Sequence, residues 1–333
     1  MLQKAAILLI SVLTGACAAE TMHPGSDIMD PFAEELMITP AQWLKRGGFF
    51  KWNGPATANP ADNEEQIFFV DEGSGPVVLF LHGYPTSSYD WRLIWEDLQP
   101  GNRLIALDFR GFGYSARPDD DLYSIHSQAD LIQALLRHLD VREVRLVAHD
   151  YAVSVTQELL ARQNEGNNPF QIQSVVFLNG AIFPDEHRRR FIQSLLLSPL
   201  GGLVNRMAGY DTFSRNMNAV LGTGKVPEVE LKAQWYLINY PDNSRILHRL
   251  MHYVPDRETH FERWIGALRN TDVPIRLING SMDPVSGKHI ADRFREEMDE
   301  ADVIELQDIG HYPQLESPKE TARAILEWQK GGW

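Results

Sequence analysis

Short apolar runs alternate with stretches of helical spacing along most of the chain. "IFFVD" and "VVLFLHG" read as strands, and the second is apolar throughout, as a strand buried on both faces must be. "RLIALD" follows as a strand, then a helical run through "ADLIQALLRHL". "VRLVAHD" is another buried strand and "SVTQELLARQ" has helical spacing. "SVVFLNG" and "IRLING" are further strands, followed by a helix near "HIADRFREEM", the strand "DVIELQD" and a last helix through "TARAILEW". Strands that alternate with helices predict an α/β fold, with a mainly parallel sheet and helices on both faces. The alternation breaks over residues 183–270, where helical patches such as "LKAQWYLINY" and "SRILHRLMHYV" are interrupted by Gly and Pro. The chain therefore divides into a core at 43–182 and 271–333 and a helical insertion at 183–270. An insertion at the C-terminal edge of such a sheet lies over the usual ligand site. "ATANPADNEE" reads as a loop insertion.

The N-terminus changes the picture from a plain enzyme to an exported one. Lys4 precedes the apolar run "AAILLISVLTGA", which is too short for an ordinary membrane span. It ends at Cys17, the single cysteine of the chain. "LTGAC" resembles a bacterial lipobox, which implies cleavage and lipidation at Cys17; cleavage after Ala18 and a membrane anchor that is never cleaved are the other readings. With the lipobox, residues 1–17 are a signal peptide and 18–42 a tether and arm. Either cleaved form puts the protein in the bacterial envelope or periplasm. Membrane contact would come through an N-terminal lipid, and the folded part would contain neither disulfides nor thiol chemistry.

Composition narrows the partners. Hydrophobic residues make up 44% of the chain, enough for a sizeable core. A formal net charge of -14 repels phosphate backbones and argues against nucleic acid as a partner.

Chemistry enters at "VAHDYAV". Asp150 follows a buried strand, precedes a helix and lies between Ala148 and Ala152. A small-x-nucleophile-x-small turn of this kind makes a nucleophile elbow. An aspartate at a strand–helix junction also commonly caps the helix, and the motif alone leaves both readings open. Two further residues separate them. Asp283 in "NGSMDPVSG" and His311 in "GHYPQLESP" each follow the end of a strand. Nucleophile, acid, histidine is the chain order of an α/β-hydrolase triad. In "LFLHGYPTSSYDW" the backbone N–H of Tyr84 would share an oxyanion hole with that of Tyr151. His82 reads as a loop-holding residue beside the substrate. "DFRGFGYS" lacks the third glycine of a dinucleotide fingerprint and reads as a turn. His248 and His252 read as one helix face, with no Glu or Cys nearby to complete a metal site. No cofactor or metal is expected.

From about Trp43 onward the chain resembles α/β hydrolases of the epoxide hydrolase and haloalkane dehalogenase group, and the mesoderm-specific transcript family in particular. The residues that carry the resemblance are "HGYPTSSYDW", "ALDFRGFGYS", "AHDYAV" before "QELL", "LNGAIFPDEHR", "RWIGAL", "MDPVSG" and "HYPQLESP". The resemblance implies an α/β-hydrolase fold with a helical cap and a triad of Asp150, His311 and Asp283. It implies hydrolysis of a small apolar molecule through an alkyl-enzyme ester, with Tyr253 as one cap tyrosine and Tyr236 or Tyr240 as the other. Dehalogenases of the group carry Asn where this chain has Tyr84 and Trp where it has Tyr151. Dehalogenation is thus the second expectation, with Trp235 or Trp264 as a compensating donor. A non-catalytic envelope binding protein is the third.

Overall fold

In the computed structural model of the protein, residues 30–55, 64–186, 188, 190–224, 226–241 and 246–330 are described. Cys17, the apolar leader and residues 56–63 of the loop insertion lie outside them. Eight strands form one sheet in the order β1-β2-β4-β3-β5-β6-β7-β8. They are β1 (Gly47–Asn53), β2 (Glu64–Gly73), β3 (Val77–Leu81), β4 (Arg103–Leu107), β5 (Glu143–His149), β6 (Gln171–Leu178), β7 (Ile275–Gly280) and β8 (Asp302–Leu306). The β1–β2 and β2–β4 pairs are antiparallel, and all pairs from β4 across to β8 are parallel.

The helices of the first half are α1 (Pro40–Arg46), α2 (Arg92–Leu98), α3 (Ile125–His138) and α4 (Tyr151–Asn164). Between β6 and β7 come α5 (Phe191–Leu196), α6 (Gly201–Met207), α7 (Tyr210–Asn218), α8 (Glu228–Ile238), α9 (Leu247–Leu250), α10 (Tyr253–Thr259) and α11 (Phe261–Arg269). The chain closes with α12 (Lys288–Glu297), α13 (Pro313–Glu316) and α14 (Pro318–Lys330).

The unbroken apolar runs have a direct cause. Alternate residues of a strand face opposite sides of the sheet. Leu79 and Leu81 of β3 pack with Leu131, Leu135 and Leu159 of α3 and α4. Val78 and Phe80 between them pack with Trp91, Trp95 and Ile325 on the other side. Each such side chain contributes about 1.5–3 kcal/mol when fully buried, so neither parity tolerates a polar residue.

The antiparallel edge departs from the sequence reading. "GGFFKWN" forms β1, whose burial alternates so that Phe50 and Trp52 point inward. α1 begins inside the expected arm. The Thr39 hydroxyl accepts from the Gln42 N–H, and the Gln42 side chain accepts from the Thr39 N–H. That reciprocal cap starts the helix, and Trp43 then packs edge-on against Trp95 at 5.2 Å.

The stretch between β6 and β7 contains helices and no strand among its described residues. Phe213, Met217, Val220 and Leu231 from it join Val285, Tyr312 and Leu315 from the core loops in a third apolar cluster. His248 and His252 do not share a helix, because α9 ends at Leu250 and α10 starts at Tyr253. No described helix is long and apolar enough to cross a membrane.

Candidate active site

The end of β5 turns sharply into α4. Asp150 sits at the turn with φ 44° and ψ -103°. A non-glycine residue in this region is strained and persists only when its surroundings hold it. Those surroundings are visible: the Asp150 N–H donates to the Asn179 carbonyl at 3.0 Å. Its carbonyl accepts from Arg257 Nη2 at 3.2 Å. Space is the second constraint. A Cβ on Gly83 would lie 2.6 Å from His149 Nδ1 and 2.9 Å from Asp150 Cβ. Ala148 and Ala152 are fully buried, so larger residues would find no room there either. The helix-cap reading fails, since the Asp150 side chain makes no capping hydrogen bond.

The carboxylate points to other partners. Tyr84 N–H donates to Asp150 Oδ2 at 3.1 Å. His311 Nε2 lies 3.9 Å from Oδ1. The amide of Tyr151 opens α4 at the same corner but makes no hydrogen bond to Asp150 among the described residues. Tyr84 is thus the amide that the structure places on the carboxylate.

His311 and Asp283 form a buried pair. His311 Nδ1 donates to Asp283 Oδ2 at 2.7 Å. The same oxygen accepts from Ser286 Oγ at 2.6 Å and Asn179 Nδ2 at 3.0 Å, and Oδ1 accepts from Val285 N–H at 2.8 Å. Burial alone would raise the Asp283 pKa, but the His311 charge and these donors outweigh it and hold it at about 2. Burial likewise opposes charge on His311, yet Asp283 and, less strongly, Asp150 hold its pKa up at about 9. The ring is therefore fixed with Nε2 facing Asp150.

A cavity of about 140 Å³ opens over this group. Asp150, His311, Tyr84 and Tyr312 supply one side, and Gln193, Leu196, Thr212, Phe213, Met217 and Trp235 supply the other. Its lining is mostly apolar, and its polar groups are the Asp150 carboxylate, His311, Arg190 and a few amides and hydroxyls. A concave, mostly apolar cavity with a few convergent polar groups is the usual form of a small-molecule site.

The structure brings some of the expected substrate residues here and not others. Trp235 lines the cavity. Tyr253 is buried beside it, its ring 6.0 Å from that of Tyr84 and 5.1 Å from that of Tyr151. Burial and, after it, the Asp150 charge raise the pKa of its hydroxyl above the ordinary 10. Tyr236 and Tyr240 are corrections. Tyr236 of α8 packs on Phe32 of the N-terminal arm at 5.9 Å, and Tyr240, just past the end of α8, on Tyr114 at 4.8 Å, and neither lines the cavity at Asp150. His82 is also no substrate contact. Its Nδ1–H donates to the Gly83 carbonyl at 2.9 Å and Nε2 accepts from the Phe109 N–H at 3.1 Å. Burial then depresses its pKa to about 3, and a neutral ring holds the loop. Trp264 donates to Glu158 at 2.9 Å, on the far side of α4. The Tyr151 ring is packed against Phe109, Phe112 and Tyr253.

Several residues of the site escaped the sequence reading. His149 Nε2–H donates to the His311 carbonyl at 2.8 Å, so the residue before Asp150 fixes the histidine loop. Burial pushes the His149 pKa down to about 4, which keeps it neutral. Asn179, at the end of β6, holds both Asp150 and Asp283. Arg257 Nε donates to Ser154 Oγ at 2.6 Å and its guanidinium lies 4.5 Å from the Tyr253 ring centroid. The sequence hinted only at Asn179, whose "LNG" ends a strand at the sheet's active edge. No group of three or more His, Cys, Asp or Glu among the described residues could hold a metal ion.

Comparison with known proteins agrees with this architecture. Residues 76–318 match the family model described as alpha/beta hydrolase fold. The chain is 39% identical over 300 residues to the mesoderm-specific transcript homolog protein of Bos taurus, covering 84% of this chain and 85% of that protein. It is 28% identical over 304 residues to a haloalkane dehalogenase of Mesorhizobium japonicum, covering 84% of this chain and 94% of that protein. Among solved structures, haloalkane dehalogenase DbeA from Bradyrhizobium elkani superimposes with a TM-score of 0.69 at 23% identity, covering 86% of this chain and 98% of that one.

Proposed function

The chain belongs to the alpha/beta hydrolase fold family, with homology to mesoderm-specific transcript proteins and haloalkane dehalogenases, and from that premise we propose that it hydrolyses small epoxides through an ester on Asp150. The observation that carries the reading is the split environment of one carboxylate. Oδ2 accepts the Tyr84 amide, while Oδ1 faces His311 and borders the cavity.

In the first step Asp150 Oδ1 attacks an sp3 carbon and the ring carbon–oxygen bond breaks. The leaving oxygen takes a proton from the Tyr253 hydroxyl, which burial keeps protonated. Esterification removes the Asp150 charge, one of the influences that raise the His311 pKa. His311 can then give its proton up to restore the Tyr253 phenol and accept another at Nε2 from the attacking water. Water adds to the ester carbon, and negative charge develops on Oδ2. The Tyr84 amide already points at that atom, an arrangement worth roughly 3 kcal/mol per donor in related sites. On collapse the leaving alkoxide takes the Nε2 proton and departs as the diol, and the Asp150 acid passes its proton to His311, which restores the carboxylate and the charged ring. Asp283 keeps the imidazole in the required tautomer.

Dehalogenation is the second reading, favoured by Trp235 in the cavity wall. A halide needs donors and no proton; Tyr84 and Tyr151 offer no indole or amide side chain for it. A non-catalytic role in the envelope would leave the Asp283–His311 pair without a use.

Single turnover in oxygen-18 water tests the ester. Label is expected in the Asp150 carboxylate after the first turnover; label found only in product would rule the ester out. Diol from epoxides, against halide from bromoalkanes, separates the two substrates. Tyr253→Phe should slow the epoxide reaction by about 10²-fold and leave any halide reaction nearly unchanged.

A further inference from the structure

Large apolar side chains left in water are not spread evenly over the described surface. Phe191, Leu200, Leu203 and Met207 are exposed, Phe191 by 82% and Met207 by 77%, and lie together on α5, α6 and their junction, whereas Met37, Phe49, Leu122 and Met282 stand apart in the sequence. Leu200, Leu203 and Met207 recur at helical spacing, so they form one stripe along α6. Exposed apolar stripes of this size mark interaction surfaces.

The charge of the same stretch is the second observation. From Arg188 to Tyr210 the sequence carries four arginines and no carboxylate, in a chain whose net charge is -14. Arg188 and Arg206 are exposed. A basic apolar helix face on an acidic protein complements an anionic lipid surface. A second copy of the chain fits worse, because a two-fold contact through this face would gather the like charges of both copies in one interface.

The opposite side of the same two helices is the third observation. Ile192, Gln193, Leu196, Asn205 and Ala208 line the cavity from within. One thin wall therefore separates the cavity from the exposed stripe.

We propose that the outer face of α5 and α6 is a docking surface for an anionic bilayer, and that the cavity draws small apolar substrates from that bilayer through this wall. The proposal depends neither on the nucleophile nor on the leaving group.

The test uses the full chain with Cys17→Ser, which removes the only thiol. An environment-sensitive fluorophore is attached at Leu203→Cys, or, as control, at Arg137→Cys near the opposite edge of the sheet. Vesicles of phosphatidylglycerol and phosphatidylcholine are then added. The label at 203 should shift to the blue and brighten about threefold, and the label at 137 should not change, since only an inserted helix face leaves water. Arg188→Glu with Arg206→Glu should raise the lipid concentration at half-effect about tenfold. A silent label at 203, or equal changes at 203 and 137 as from tethering by the leader alone, overturns the proposal. So does a change at 203 that needs no vesicles and grows with protein concentration, which would assign the face to a second copy.

Discussion

The two walls of the cavity are built differently. The wall at the strand ends carries Asp150, His311 and Tyr84, each on a short loop after a parallel strand and each held by hydrogen bonds. The wall from the insertion carries Leu196, Phe213, Met217 and Trp235 on helices of six to eleven residues. Strand ends fix atoms to a fraction of an ångström because the sheet register fixes them. Short helices held by side-chain packing can shift when a side chain changes. The first wall suits chemistry, and the second suits choice among substrates.

Substitutions on each wall sharpen this contrast. The largest effect is expected from Asp150→Ala, which should reduce turnover by about 10⁴-fold or more while circular dichroism stays native. His311→Gln should come next. It should consume about one equivalent of epoxide and then stop, with the hydroxyalkyl ester visible by intact mass; steady turnover would contradict the assigned base.

Asp283→Asn should slow turnover by roughly 10²–10⁴-fold. It should also lower the His311 titration, followed by NMR, from about 9, because burial is then opposed only by the Asp150 and Glu316 charges. The stability gap to wild type has a sign that follows from both partners. The Asp283 contribution is complete above 3.8 and lost as pH falls through about 2. The His311 contribution is complete below 6.5 and lost as pH rises through about 9. The gap should therefore be widest between these two plateaus and narrow on either side. A gap independent of pH would mean that the pair contributes little.

The smallest effects belong to the insertion wall. Trp235→Ala or Gln193→Ala should change kcat/KM by about 10–100-fold, and differently for different substrates, which matches the 1–3 kcal/mol typical of pocket contacts. A loss as large as that of Asp150→Ala would erase the distinction between the walls.

Legibility in the sequence followed the same division. Runs such as "VVLFLHG" announce β3 because both strand parities are buried, and the elbow and histidine loop follow such runs directly. The edge strand β1 was missed because "GGFFKWN" is half exposed and opens with two glycines. Tyr236 and Tyr240 were misplaced because spacing does not say which neighbour a side chain meets, nor that α8 stops at Ile238, before Tyr240. The arm residue Phe32 and Tyr114 of the core claim these two rings. Arg257 was invisible for a related reason: it reaches the Asp150 carbonyl across 107 residues of chain.

The strained backbone at Asp150 has a thermodynamic side. A residue with φ 44° and ψ -103° costs roughly 1–3 kcal/mol that the rest of the molecule must offset. Glycine would adopt that conformation with little penalty and would also relieve a buried charge. Asp150→Gly should therefore melt a few degrees higher than wild type while hydrolysing nothing. The corner that makes the molecule useful is then also the one at which it is least comfortable, and natural drift toward greater stability would erase activity there first.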